Sequence, residues 1–371
     1  MQSVFLPHPH AHPINQITDN ISDFKTHFFK GMGRFICPFL LLIFIISCEK
    51  TPVSLHESYL TPIELQEELD SPAIYHGPEE SWLIVTAKHG NRLFVYNAET
   101  GEAITTIGSY GSGPEEFDYP NSIWIEENLM IIVERDNHRL QLFHLPDFQF
   151  LGFIGENELA KPYGITAVRH SDNQLDIFVT DDKEISDNSL IEIYKHRIYH
   201  WTLDIQENSV THILKNTFGS TIDPGILYEV ESIFPDIKYN RLMIADEEEN
   251  VIKVYTIDGT FTGIVLGQGK FIGDPEGITL YQCNDTDGFW IFTDQTSHKN
   301  QFYIFDRQSL EYIGAFTMNL TTNTDGIWLT QKPIGTFKSG IFCAVNNDRN
   351  VSVLDIEHLK DAMPHLFNCE H

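Results

Sequence analysis

Three things are scarce in this chain of 371 residues: positive charge, cysteine and long apolar runs. Lysine and arginine number 24 against 53 aspartates and glutamates, for a formal net charge of −29. That balance repels phosphates, so unassisted nucleic-acid binding is excluded. It equally excludes charge-driven docking on an anionic membrane surface. It favours cations, and a polyanionic substrate would need a metal to mediate contact. The five cysteines form no CxxC pair, which removes the usual basis for a zinc site. Also missing are the Gly-x-x-x-x-Gly-Lys phosphate loop, the Gly-x-Ser-x-Gly elbow and His-Glu-x-x-His. The glycine-rich segment Gly108–Gly113 precedes a strand pattern rather than a helix and reads as a connecting loop. Core material is not scarce: 42% of residues are apolar, which excludes global disorder.

The single long apolar run, Phe35–Ser47, is shorter than the roughly 20 residues of a membrane-spanning helix. Flanked by Lys30 and Arg34, it suits the apolar region of a signal peptide. An uncleaved anchor and a buried element of an unexported chain are the competing readings. The run ends Ile45-Ile46-Ser47-Cys48. A small residue directly before such a Cys resembles the lipobox of bacterial lipoproteins. The resemblance implies a lipidated Cys48 and a place in the bacterial cell envelope, with the membrane met only through a lipid anchor. Residues 1–47 are then an N-terminal extension and signal peptide, and Met32 reads as a better start than Met1. Residues 48–67 read as a linker. Of the later cysteines, Cys283, Cys343 and Cys369, at least one must be free, and all three read as packing residues.

Beyond residue 67 the chain repeats itself. A short motif of a polar residue, a Pro or acid, a small residue and Ile occurs six times. Its copies are Ser71–Ile74, Pro120–Ile123, Pro162–Ile165, Val230–Ile233, Asp274–Ile278 and Thr324–Ile327, and their closing isoleucines lie 49, 42, 68, 45 and 49 residues apart. Each is followed by an apolar strand pattern, a polar turn and an alternating strand, as in Leu242–Ala245 and Val251–Tyr255. Four strands at this period describe an all-β fold, a six-bladed β-propeller of four-stranded antiparallel blades over residues 68–363. Residues 364–371 are left as a tail. The long third repeat carries an insertion near Ile185–Glu192, and a short helix is expected at Ile356–Met363.

The motif opening each repeat is the natural innermost strand, so its acids converge on one mouth of the channel. Glu231, Glu276 and Asp325 hold equivalent places, and Asp70 lies just before that place in repeat one. Converging carboxylates stay ionised cheaply only around a cation, and oxygen-only ligands suit Ca²⁺. A second acidic run, Asp246–Glu249, follows Glu231 in the same repeat.

These segments resemble the β-propeller phytases, which are six-bladed. The matching stretches are Asp70-Ser71-Pro72-Ala73-Ile74-Tyr75, Glu231 with Arg241–Glu249, Pro275–Tyr281 with Tyr303–Arg307, and Thr324–Ile327 with Gly340–Phe342. The resemblance is strong in the last three repeats and weak in the first three. It implies a calcium-dependent phosphomonoester hydrolase acting on a phosphorylated small molecule such as phytate. Ions held by channel carboxylates would screen the substrate and activate water. It also implies that Asp70, Tyr163, Glu231, Glu247, Glu276 and Asp325 are calcium ligands, with Glu247 and Glu248 not separable by alignment. Glu231 and Glu276 would stand at the chemistry, and Lys88 and Lys183 would hold phosphate. Two departures stand out. Ser71 replaces an aspartate, and the family's Asn-Asn-Val-Asp-Ile-Arg segment becomes Pro120–Glu126, losing an acid and an arginine.

Repeat two differs. Gly111–Phe117 and Asn137–Phe143 are similar to NHL-repeat propellers, which implies the alternative of a non-catalytic binding module for an envelope protein or glycan. His138 there reads as a turn residue. Either way a monomer is expected.

Overall fold

The computed structural model describes residues 51–184, 190–206 and 209–369. The signal-peptide segment and Cys48 lie outside these residues. So does part of the expected insertion, whose end forms a short helix at Leu190–Tyr194.

Alternating apolar residues build the expected strands, and the strands form six antiparallel blades. Blade 1 comprises Leu69–His76, Ser81–Ala87, Arg92–Asn97 and Ala103–Ile107. Blade 2 comprises Pro120–Glu126, Leu129–Glu134, Arg139–His144 and Gln149–Ile154. Blade 3 comprises Pro162–Ser171, Gln174–Asp181, Ile198–Gln206 and Ser209–Phe218. Blade 4 comprises Val230–Asp236, Arg241–Asp246, Val251–Tyr255 and Phe261–Leu266. Blade 5 contains Asp274–Gln282, Gly288–Gln295, Gln301–Asp306 and Tyr312–Met318. Blade 6 contains Ile327–Thr330, Ile341–Asn346 and Asn350–Asp355. The first strand of each blade touches the first strand of the next, and that of blade 6 touches that of blade 1. The ring is closed, and the fold is a six-bladed β-propeller.

Period-two alternation sends the two faces of each blade to different neighbours. In blade 1, Ala73, Tyr75, Ile84 and Val95 pack on Ile123, Ile125, Met130 and Ile132 of blade 2. The alternate residues Ile74, Leu83, Val85 and Phe94 pack with Cys343, Val345, Val351 and Val353 of blade 6.

The stretch expected as a linker is corrected in part. Val53–Leu55 lies parallel to Tyr312–Met318 as a fifth strand of blade 5, and Tyr59–Leu60 is the antiparallel fourth strand of blade 6. Blade 6 is thus completed from both ends of the described chain, which covers the outer edge of Asn350–Asp355. Thr61 and Glu64 continue the tie by donating backbone hydrogen bonds to Val351 and Arg349.

The expected helix forms at Ile356–Ala362, capped by the Asp355 side chain, and a second turn follows at Pro364–Phe367. The packing role expected for the cysteines holds: Cys343 is buried and free, and Cys283 and Cys369 pack against the core between blades 5 and 6. Cys283 and Cys369 form a disulfide across 86 residues, clamping the C-terminal turns onto blade 5. Closing a loop of that length contributes about 4 kcal/mol as an upper figure, so Cys369→Ser should lower the melting temperature by about 5–10 °C. A calorimetric scan with and without the substitution reads this directly, and an unchanged midpoint would show that the C-terminal turns are held by packing alone.

Candidate metal centre

Each blade's second strand ends where its first begins, so the motif residues and the turns after the second strands share one mouth of the propeller. The ladder slips at the motif in blades 1, 3, 4 and 5, between Leu69 and Pro72, Pro162 and Ile165, Val230 and Ile233, and Pro275 and Ile278. Such bulges turn a side chain out of the sheet's alternation. Here they free Asp70, Tyr163, Glu231 and Glu276 from the inter-blade layers. Thr180 Oγ1 accepts the freed N–H of Gly164 at 2.7 Å and donates to the Glu231 carbonyl at 2.9 Å. The small residue after Tyr163 and after Asp325 lets neighbouring inner strands meet: a Cβ on Gly164 would lie 2.4 Å from the Glu231 carbonyl oxygen. On Gly326 it would lie 2.6 Å from that of Asp70.

The expected acids do not form one cluster but divide into two. Glu231, Glu247 and Glu276 bring carboxylate oxygens within 4.8 Å of one another. Glu247 is therefore the member of the acidic run that reaches the channel, while Glu248 is exposed and lines the adjoining cleft. Burial, then Glu247 and Asp70, push Glu231 well above the usual carboxylate range. Burial and the other acids do the same to Glu276. Burial raises Glu247 to about 7, although its hydrogen bond with Glu276 works the other way. The metal-free cluster thus holds protons that a cation would displace. Its donors fit a hard divalent ion: all are carboxylate oxygens, their spacing spans opposite ligands at 2.3–2.6 Å, and Glu231 Oε2 is buried without a hydrogen-bond partner.

Asp70 and Asp325 form the other cluster, and there the structure departs from expectation. Lys88, expected to hold phosphate, places Nζ 2.8 Å from Asp70 Oδ2 and 3.2 Å from Asp325 Oδ2. Burial works against this ammonium, but Asp70 and Asp325 outweigh it and hold Lys88 protonated above the usual lysine range. Tyr163 stands between the clusters. Burial first, then Glu231, Asp70, Glu276 and Asp325, keeps its phenol protonated.

Beside the three glutamates opens a cleft of about 610 Å³ lined by Lys161, Asp182, Lys183, Arg197, Tyr228, Glu229 and Glu248 among others. It adjoins a second of about 570 Å³ lined by Arg135, His138, Lys161 and Lys183. Lys183 is exposed there, as its expected role requires. Buried Arg197 shapes the floor, donating to the carbonyls of Leu227, Tyr228, Asp181 and Lys183. Lys161 pairs with Asp182 at 2.7 Å. Sequence reasoning missed Arg135 and Lys161. It sought the arginine in Pro120–Glu126, but Glu126 lies at the far end of that strand, paired with Arg169 at 2.8 Å. The available signal was position: Arg135 opens the turn after a second strand, as Lys88 does, and Lys183 lies one residue further along the same turn of blade 3.

One layer deeper, Trp124, Phe234 and Trp328 meet in the channel, with ring centroids 5.8 and 5.1 Å apart. They line a channel cavity of about 240 Å³. In blade 2 the NHL-like residues lock the inter-blade loop: Arg139 pairs with Glu134 and donates to Ser112, and Asn137 donates to Gly111.

Residues 79–234 match a family described as a 6-bladed beta-propeller. Residues 226–353 match the Phytase family and carry Glu231, Glu247, Glu276 and Asp325. No curated protein matches the chain significantly. Similar solved structures include a DUF4221-family member from Bacteroides vulgatus, 10% identical over 80% of this chain and 96% of that one, with a TM-score of 0.49. The calcium-binding protein regucalcin from Agrobacterium tumefaciens is 12% identical over 82% and 95%, with a TM-score of 0.48. A streptogramin B lyase is 14% identical over 80% and 87%, with a TM-score of 0.45. Likeness at this level says nothing about activity.

Proposed function

We propose that this propeller is a calcium-dependent phosphomonoester hydrolase of the phytase type. The observation that carries the reading is one mouth holding both an uncompensated three-glutamate cluster and a cleft with Arg135, Lys161 and Lys183. The Phytase match over residues 226–353 supports it. Glu231, Glu247 and Glu276 would hold Ca²⁺, which supplies charge neutralisation and activates water for attack on phosphorus. The chain's own side chains do the rest. Lys183 and Arg135 bind and orient phosphate oxygens by charge-assisted hydrogen bonds. Tyr163 keeps its proton and can donate a hydrogen bond to a substrate oxygen. The aromatic layer bounds the reacting position from below. We further propose a monomer in the cell envelope, lipid-anchored at Cys48. The Cys283–Cys369 disulfide supports an oxidising compartment. Among the described residues no helix is long and apolar enough to cross a membrane.

The test is phosphate release from phytate and from a simple aryl phosphate, in calcium and in EDTA. Calcium-dependent release is expected, with Lys183→Met raising KM about 10–100-fold through loss of one charged contact. Release that persists in EDTA would overturn the metal's role. No release from any phosphomonoester would favour the second reading, a binding module for an envelope protein or glycan. One observation supports that reading: blades 2 and 3 place Asn121 and Tyr163 where the other four blades place Asp70, Glu231, Glu276 and Asp325.

A further inference from the structure

We propose that Lys88 is a resident cation that takes the place of a metal ion between Asp70 and Asp325, so that calcium loads only the three-glutamate half of the mouth. The inference rests on reading that mouth as a calcium site. Both oxygens of both aspartates are already engaged. Asp70 Oδ1 accepts from the Ser71 hydroxyl at 2.7 Å, and Asp70 Oδ2 faces Lys88 Nζ at 2.8 Å. Asp325 Oδ1 accepts from Gln295 Nε2, and Asp325 Oδ2 accepts from Lys88 Nζ at 3.2 Å. Glu68 adds a third carboxylate at 3.6 Å from the same ammonium.

The contrast with the other half is chemical. Glu231 Oε2 is buried with neither a hydrogen-bond partner nor a cation beside it, whereas Asp70 Oδ2, also without a hydrogen bond, lies 2.8 Å from the Lys88 ammonium and both Asp325 oxygens accept hydrogen bonds. Ser71 stands where the resembling family has an aspartate, so a ligand has become a donor that engages Asp70. The Lys88 side chain is only 9% exposed, so the ammonium has no ready route into solvent. A calcium ion at this position would have to displace Lys88 and strip two further donors. A tethered ammonium supplies one positive charge at fixed geometry, independent of calcium concentration.

Calorimetric titration of the purified chain with calcium chloride alone tests this by stoichiometry. Wild type is expected to bind calcium at the three glutamates only, and Asp325→Asn to bind the same number of ions. Lys88→Met is expected to bind one ion more, and Lys88→Met/Asp325→Asn to lose that extra ion again. Loss of an ion in Asp325→Asn, or no gain in Lys88→Met, would overturn the assignment. If Lys88→Met does not fold, Asp325→Asn decides alone. The underlying reading fails separately: wild type would then bind no calcium, or Glu276→Gln would bind as wild type does. An extra ion gained in Lys88→Met and lost in the double variant would still uphold the role of Lys88.

Discussion

Glu276→Gln abolishes the calcium response of this protein and, in EDTA, raises its melting temperature. The two signs come from one cause. Glu231, Glu247 and Glu276 crowd carboxylates into a buried space. Burial raises the proton affinity of all three, Glu247 adds to that of Glu231, and Glu231 and Glu247 add to that of Glu276. Glutamine keeps a carbonyl oxygen in place but removes a charge. Without metal this spares the fold the cost of neutralising a buried carboxyl and so stabilises it. With metal it removes part of the attraction, which at about 4 Å and a dielectric near 20 is about 4 kcal/mol for a single unit pair. Calcium affinity should fall about a hundredfold or more, and calcium-dependent phosphate release should fall with it. Thermal melts with and without calcium, beside an activity assay, read both signs. A variant destabilised in EDTA that still gains stability from calcium would sink the assignment.

Metal-free protein should lose stability as pH rises from about 4.5 to 7. The sign follows from the raised carboxyls. Glu247 titrates near 7 in the fold against an ordinary 4.5, so the folded state binds more protons across that window. Stability from this group is full below about 4.5 and is lost as pH climbs through 7. For Glu247 the loss is on the order of 3 kcal/mol, about 5–10 °C in melting temperature. Glu231 and Glu276, shifted the same way by burial and by their neighbours, extend the fall to higher pH. Calcium competes with those protons. At a hundredfold excess over its dissociation constant it returns about 2.7 kcal/mol at neutral pH. Melts in EDTA and in calcium across this range give the comparison. A metal-free midpoint that rises with pH would contradict the electrostatics of the cluster.

The fold was legible because each blade repeats one pattern, and a strand with a buried face writes its period into the sequence. Glu231, Glu276 and Asp325 were legible because equivalent repeat positions converge in a closed ring. The two N-terminal strands were not, since Val53–Leu55 and Tyr59–Leu60 are too short to show a period. The disulfide was not, since its cysteines lie 86 residues apart. The division of the acids was not legible either. It depends on Lys88 of blade 1 reaching across to Asp325 of blade 6, a contact between residues 237 apart in sequence. The basic cleft shares that origin, assembled from Arg135 of blade 2, Lys161 before blade 3 and Lys183 after its second strand.

The central claim is that a divalent cation belongs among Glu231, Glu247 and Glu276. The most direct test is anomalous diffraction from crystals of the chain soaked in terbium, a calcium surrogate with a strong anomalous signal. The account predicts a peak bounded by those three carboxylates and none between Asp70 and Asp325. A map with no peak at the three glutamates, or with its main peak beside Asp70, would contradict it.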